Sequence, residues 1–416
     1  MQASFESLPL SKHWIKKLAD MNITNPTPVQ QQAIPHLLEG KDLIIESQTG
    51  SGKTLAYLLP LLEKIDPASN RVEAVILTPT HELAMQVVKV TESLIDPSSL
   101  KVQALIGGAS VKRQVERLKL RPQLIVGTPG RILELIKLKK LSMHYVRTIV
   151  VDEADEVLRL GAKKEAEAII RSALRDRQLA FFSATVSSEL RSWASQWVQA
   201  VEEKVKVAGD AFTPSGIQHY YVMCDERDKI ETARKLYHAL QPDSAIIFIN
   251  DSELIAEVQE KLRYSRLNVE ALYGDADKQE RARVIQGFRD KRFPLLLATD
   301  VAARGLDFPD VTVVLNLELP VSGDHYLHRA GRTGRMGRKG VVVSVAARNE
   351  LFIIEKFAKR LGIRIVEKEL YEGHLINAGN RPSPKPPVNR KSPKAKTQSY
   401  STSKTSPRGS MRKGPK

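Results

Sequence analysis

Eight residues, SQTGSGKT at 47–54, constrain this chain more than any other stretch. A glycine-rich turn that ends in Lys-Thr presents backbone N–H groups to phosphates, sets Lys53 against their charge and puts the Thr54 hydroxyl on Mg²⁺. The motif needs a strand before it and a helix after it, and here LIIE (43–46) precedes it while LAYLLPLLEKI follows. Further along, the β-branched run TIVV empties into Asp152-Glu153-Ala154-Asp155. Together the two signals describe a site that consumes a nucleotide. Nucleotide phosphate chemistry on an α/β sheet is the frame for everything else.

A chain of 416 residues suits two domains of about 150 to 200 residues plus a remainder. The one cysteine, Cys224, excludes an intramolecular disulfide and a cysteine-based metal site, which fits a reducing compartment. No secretory signal pattern opens the sequence, and no apolar stretch approaches the ~18 residues of a membrane span. A cytoplasmic monomer without a membrane partner is expected. The net charge is +16, and residues 381–416 hold eleven Lys or Arg with no acidic residue. That Pro, Ser, Lys, Arg and Thr tail lacks the apolar surface to offset its chain entropy, so it is expected to be disordered and to grip phosphates without regard to sequence.

Short β-branched runs alternate with amphipathic stretches, and the alternation occurs twice. The first set is 43–46, 73–78, 102–107, 123–127, 147–152 and 179–184; the second is 218–223, 244–250, 269–274, 294–300, 311–317 and 340–346. This is the signature of mostly parallel sheets with crossover helices, in an α/β fold of two tandem domains. Gly, Pro and small residues interrupt both periodicities near 207–217. The expected organisation is a first domain at 1–208, a linker at 209–216, a second domain at 217–375 and the basic tail at 376–416.

The second half has no phosphate loop, yet it carries His328-Arg329-Ala330-Gly331-Arg332-Thr333-Gly334-Arg335. Two arginines at i and i+3 on a helix face the same way and can reach one anion together. Placed on a γ-phosphate held by the other domain, they would make hydrolysis depend on domain closure.

Taken in chain order, these pieces resemble the DEAD-box RNA helicases of helicase superfamily two, from Phe5 to about residue 370. The matching motifs are NITNPTPVQ (22–30) with the upstream Phe5, SQTGSGKT, PTHELAMQ (79–86), Gly107-Gly108, TPGR (128–131), DEAD (152–155), SAT (183–185), IIFIN (246–250), ATDVAARGLD (298–307) and HRAGRTGR (328–335). The resemblance implies two RecA-like domains and an RNA-dependent ATPase that separates short RNA duplexes or remodels RNA–protein complexes. A second reading keeps every motif: an ATP-gated RNA clamp or assembly factor with little unwinding.

The resemblance also implies the division of labour. Gln30 would read adenine and Phe5 stack on it; Ser47, Gln48, Thr49, Gly50, Ser51, Gly52, Lys53 and Thr54 would hold the phosphates, and Asp307 the ribose. Thr54 and Asp152 would hold Mg²⁺, Glu153 would act as general base, and Arg332 and Arg335 would meet the γ-phosphate. Asp155, Ser183, Thr185 and His328 would couple this site to RNA. RNA itself would touch Pro79, Thr80, Gly108, Thr128, Pro129, Gly130 and Arg131 from the first domain and Gly274, Thr299 and Asp300 from the second. Small residues whose N–H groups approach phosphates imply binding blind to sequence and sensitive to the 2′-hydroxyl.

Four positions depart from the family pattern: His81 for the arginine of PTREL, Ser47 for alanine, Lys278 for the glutamine of QxxR (Arg281 is kept), and Asn22 where Gly is common. None touches the hydrolytic residues. The compact bacterial members that this chain resembles imply work in ribosome assembly or mRNA turnover, with pre-ribosomal particles as partners.

Overall fold

A computed structural model of the chain describes residues 4–47, 50–96, 98–198, 204–206, 216–273, 277–303, 306, 308, 311–334 and 338–380. Within them lie two sheets, one per lobe. The first comprises β1 (Leu43–Glu46), β2 (Ala74–Leu77), β3 (Val102–Leu105), β4 (Leu124–Gly127), β5 (Thr148–Val151), β6 (Gln178–Ser183) and β7 (Lys204–Lys206). It is parallel throughout, in the order β3-β4-β2-β5-β6-β1-β7. The second comprises β8 (Ile217–Met223), β9 (Ala245–Ile249), β10 (Val269–Leu272), β11 (Leu295–Thr299), β12 (Val313–Asn316), β13 (Gly340–Ala346), β14 (Ile365–Tyr371) and β15 (His374–Asn377). Its order is β10-β11-β9-β12-β13-β8-β14-β15, parallel except for the β14–β15 pair.

The strands are apolar without alternation because both faces are covered. β2, β4 and β5 are buried at every residue. Ile76, Val126 and Phe182 face one helical layer while Val75, Ile125 and Phe181 face the other, and Ile246 and Leu296 against Ile247 and Leu297 repeat the pattern in the second lobe. The twelve expected strands all appear, with ends within two residues. Three were not expected: β7, β14 and β15. The last two form a hairpin on the β8 edge, turned by Glu372 and Gly373, both at positive φ (47° and 79°), which is a two-residue turn matched to strand twist. The second sheet therefore runs to Asn377, past the end expected at 375. Of the expected linker, 209–215 lies outside the described residues, as does the tail from 381.

Strand order places the loops that matter. The loops leaving β3, β4 and β2 adjoin one another, and those leaving β5, β6 and β1 adjoin one another. The first group carries Gly108, TPGR and Pro79-Thr80; the second carries DEAD, SAT and the phosphate loop.

Candidate functional site

The phosphate loop closes on the helix Lys53–Lys64 through Gly52, at φ +93°, where a Cβ would lie 2.5 Å from Gln30 Nε2 and 3.0 Å from Thr27 Oγ1. Only glycine allows that approach. Gln30 is 2% exposed; its Oε1 accepts from Thr27 N at 2.9 Å and its Nε2 donates to Gly52 O at 3.1 Å. The amide thus clamps the loop to the helix Pro28–Leu38, while each amide atom keeps a second hydrogen-bonding position. The hydroxyls of Ser47 and Ser51 meet at 2.6 Å. Phe5 sits in a 3-10 turn with its ring enclosed in the first lobe's core. The Lys53 ammonium is buried and, among the described residues, has no hydrogen-bond partner. Gln48 and Thr49 lie outside the described residues.

β5 ends one residue before Asp152, whose N–H donates to Leu77 O at 2.9 Å. Its Oδ2 accepts from Tyr57 Oη at 2.9 Å and its Oδ1 from Glu153 N at 3.0 Å. Burial raises the Asp152 carboxyl above its ordinary value, opposed by Lys53 and the Tyr57 hydrogen bond. Glu153 stands at φ +47°, ψ +53°, left-handed backbone that a non-glycine residue adopts at a cost of about 1 to 3 kcal/mol. Burial and then the Asp152 charge raise its carboxyl, opposed by Lys53, Arg332 and His328. A carboxylate raised toward working pH is what a general base needs.

Asp155 accepts from Thr185 Oγ1 at 3.2 Å, and Ser183 Oγ donates to Thr185 O at 2.7 Å. From the second lobe, His328 places Nε2 3.6 Å from Asp155 Oδ2 and Nδ1 3.5 Å from Glu156 Oε1. Burial would raise Asp155, but His328, Lys53 and Ser183 overcome it and bring the carboxyl down to about 2. Burial would lower His328, and Asp155, Glu156 and Glu153 overcome that, leaving the imidazole raised. The coupling set expected from sequence is one interlobe cluster, with Glu156 as an added member.

The arginine spacing needs correction. The helix Gly323–Ala330 stops before Arg332, capped at Gly331, so Arg332 is not on that helix. Arg332 is buried and held by the backbone carbonyls of His328 and Leu306, near enough to Glu153 to oppose the rise of its carboxyl. Arg335 and Asp307 lie outside the described residues.

On the other half of the sheet edges, Thr80 caps the helix His81–Leu94, its Oγ1 accepting from Leu83 N, and Gly108 is at φ +65°. Thr128 and Pro129 open the helix Pro129–Lys137, a Cβ at Gly130 would meet open space, and Arg131 Nη1 donates to Ala109 O at 2.9 Å. Pro79, Thr80 and Gly108 line a groove of about 1480 Å³ that Arg281, Ile285 and Val301 close from the second lobe. Arg281 crosses the lobes, Nε donating to Glu82 Oε1 at 2.6 Å and Nη2 to Ala302 O at 2.9 Å. His81 lies against Gly107, where a Cβ would come within 3.0 Å of its Nε2. Asn22 is at φ +59°, which asparagine tolerates and which accounts for Gly being common there.

In the second lobe, Thr299 Oγ1 accepts from Ala302 N. Asp300, expected to touch RNA, has its two oxygens gripped by Arg329 Nε and Nη2 at 2.8 Å each, and His325 Nδ1 lies 3.2 Å away. Burial would raise its carboxyl, but those two partners hold it far below the carboxylate range. Arg329, fully buried, also donates to Asn250, Asn316 and Glu318 O and lies over the Phe248 ring. It ties β9, β11 and β12 together at the ends that face the site. Gly274 lies outside the described residues. Sequence reading missed Arg329, Glu156 and Tyr57; Arg329 stands inside HRAGRTGR and Glu156 beside DEAD, whereas nothing in LAYLLP marks Tyr57.

Among the described residues, no group of three or more His, Cys, Asp or Glu is placed to hold a metal ion, and no helix is long and apolar enough to cross a membrane. Residues 27–193 match the family described as DEAD/DEAH box helicase, and residues 228–337 the helicase conserved C-terminal domain. The DEAD-box ATP-dependent RNA helicase CshC of Bacillus cereus is 44% identical over 88% of this chain and 92% of its own. The probable ATP-dependent RNA helicase YfmL of Bacillus subtilis is 45% identical over 84% and 92%. The structure of S. cerevisiae Dbp5 bound to RNA and ADP BeF3 superposes with a TM-score of 0.79, at 31% identity, over 88% of this chain and 95% of that one.

Proposed function

The chain belongs to the DEAD-box family of ATP-dependent RNA helicases, and from that premise we propose how its own residues divide the work. The carrying observation is the Lys53 ammonium, buried beside Asp152, Glu153 and Asp155 with no acceptor among the described residues. A buried cation without a protein acceptor suits phosphate oxygens. Lys53 and the loop from Ser47 to Thr54 take the ATP phosphates, Gln30 and Phe5 the adenine, and Asp307 the ribose. The Thr54 hydroxyl and, through water, the Asp152 carboxylate would hold Mg²⁺; each Asp152 oxygen has one donor and keeps a lone pair, which fits an ion that retains its waters. Bound there, Mg²⁺ would neutralise charge on the phosphate oxygens. Glu153 takes the proton of the attacking water, and Arg332 and Arg335 offset charge developing on the γ-phosphate.

RNA lies across the groove on backbone N–H groups of Thr80, Gly108, Gly130 and Arg131, flanked by Pro79, Thr128 and Pro129, with Gly274 and Thr299 opposite. ATP and RNA together hold the lobes closed, the bent strand gives up pairing worth about 1 to 2 kcal/mol per base step, and hydrolysis resets the enzyme. We place this work in the cytoplasm, on structured RNA of ribosome assembly or mRNA turnover, by a monomer whose basic tail tethers RNA. If so, the chain cosediments with pre-ribosomal particles, and removing 381–416 raises the RNA concentration for half-maximal hydrolysis while flattening its salt dependence. A tail deletion that alters only the saturated rate contradicts the tether.

Displacement of a short RNA duplex is the test of unwinding. ATP-dependent release of the strand, lost with Glu153→Gln under multiple turnover, is the expected result. Stable ATP-gated retention of single strands without displacement would identify a clamp instead.

A further inference from the structure

Tyr57 stands on the helix Lys53–Lys64, three residues after Thr54 and four after Lys53, so the three side chains share a helix face. Its ring is 1% exposed and packs edge-on against Phe182, centroids 5.2 Å apart. A phenol enclosed in a core must find a hydrogen-bond partner, and this one donates to Asp152 Oδ2 at 2.9 Å. The other carboxylate oxygen is taken by Glu153 N at 3.0 Å. One donor on each oxygen sets the plane of the carboxylate and so the direction of its remaining lone pairs.

We propose that Tyr57 is a positioning residue for the metal–nucleotide site, its hydroxyl aiming the Asp152 carboxylate at Mg²⁺. The proposal rests on the reading of Thr54 and Asp152 as the Mg²⁺ residues. Packing alone does not account for the oxygen, since phenylalanine would fill the same volume against Phe182 and leave Asp152 Oδ2 without its donor.

The test uses the full chain and four forms: wild type, Tyr57→Phe, Phe182→Leu and Asp152→Asn. Affinity for a fluorescent ADP is measured in EDTA and in Mg²⁺, the Mg²⁺ dependence of RNA-stimulated hydrolysis is titrated for the first three, and melting is followed without ligand. Tyr57→Phe is expected to bind ADP in EDTA as wild type does, to need three- to tenfold more Mg²⁺ for half-maximal hydrolysis and to lose a similar factor in the Mg²⁺-dependent gain of ADP affinity. Phe182→Leu, which loosens the ring but keeps the oxygen, is expected to melt lower without changing the Mg²⁺ dependence. An unchanged Mg²⁺ dependence in Tyr57→Phe, or an equal shift in Phe182→Leu, overturns the positioning role. If Asp152→Asn keeps the Mg²⁺-dependent gain, the underlying reading fails as well; if it loses the gain while Tyr57→Phe keeps it, only the role of Tyr57 falls.

Discussion

Asp155 and His328 illustrate how single side chains tie chemistry in one lobe to contact with the other. His328 is bracketed by Asp155 and Glu156, which hold its imidazole protonated above the ordinary histidine value against the opposing effect of burial. A raised histidine contributes fully below its unfolded value and loses its contribution as pH rises through the folded one. Asp155, brought down to about 2, contributes above its ordinary value and fails only in strong acid. The interlobe pair therefore persists from strong acid up to the raised His328 value, and its alkaline loss is the limb that assays reach. Replacing Asp155 with Asn is expected to move the alkaline limb of RNA-stimulated kcat to lower pH and to cost roughly tenfold at neutrality, the ~1.5 kcal/mol of one charged hydrogen bond. An unmoved limb in a pH–rate profile would show that His328 does not gate closure. Placement at this scale was legible where the motif spells it, as for Lys53 beside Asp152 and Glu153, and illegible where it arises from folding. Tyr57 reads as one more apolar helix position until the helix lays its hydroxyl on Asp152, and nothing in the sequence marks the grip of Arg329 on Asp300.

Elements carry the site because strand ends, and the turns that leave them, are rigid. The two sets of loops at the ends of β3-β4-β2 and β5-β6-β1 explain how one sheet can hold phosphate on one half and offer backbone N–H groups on the other. Gly52 is the joint between loop and helix, and the Gln30 clamp closes on it. Gly52→Ala is expected to destabilise the first lobe by about 1 to 3 kcal/mol, since alanine must both adopt positive φ and displace the Gln30 amide. ADP affinity should fall with it; thermal melting and nucleotide titration of the same variant check both, and wild-type values in both would refute the clamp. Periodicity revealed the twelve core strands because buried parallel strands are continuous apolar runs. It passed over β14 and β15, whose IVEKELY and HLIN are half-exposed and polar, although Glu372-Gly373 is a legible hairpin turn. Spacing also placed Arg332 on a helix that Gly331 had already ended.

Across the whole molecule, the two lobes meet in one arrangement, on which we propose that hydrolysis and RNA binding both depend. Contacts on opposite sides of the cleft hold it: His328 against Asp155 and Glu156 beside the phosphate site, and Arg281 against Glu82 beside the groove. Arg281 is the retained half of an altered QxxR element, and its bond to Glu82 is interlobe rather than a contact made within one domain. Two-domain organisation was legible from the doubled alternation, and the partnership of the lobes from the arginine-rich segment; which side chains meet across the cleft was not, because no periodicity links residues about two hundred apart in sequence. The central claim, hydrolysis that waits for RNA to close the lobes, is tested most directly by steady-state ATP turnover with and without ribosomal RNA, with DNA as control. Wild type is expected to be strongly stimulated by RNA and not by DNA, Glu153→Gln to be inactive under both conditions, and Arg281→Ala to keep basal turnover while losing most of the stimulation. Equal turnover with and without RNA, in a chain that binds ATP and loses activity with Glu153→Gln, would contradict it.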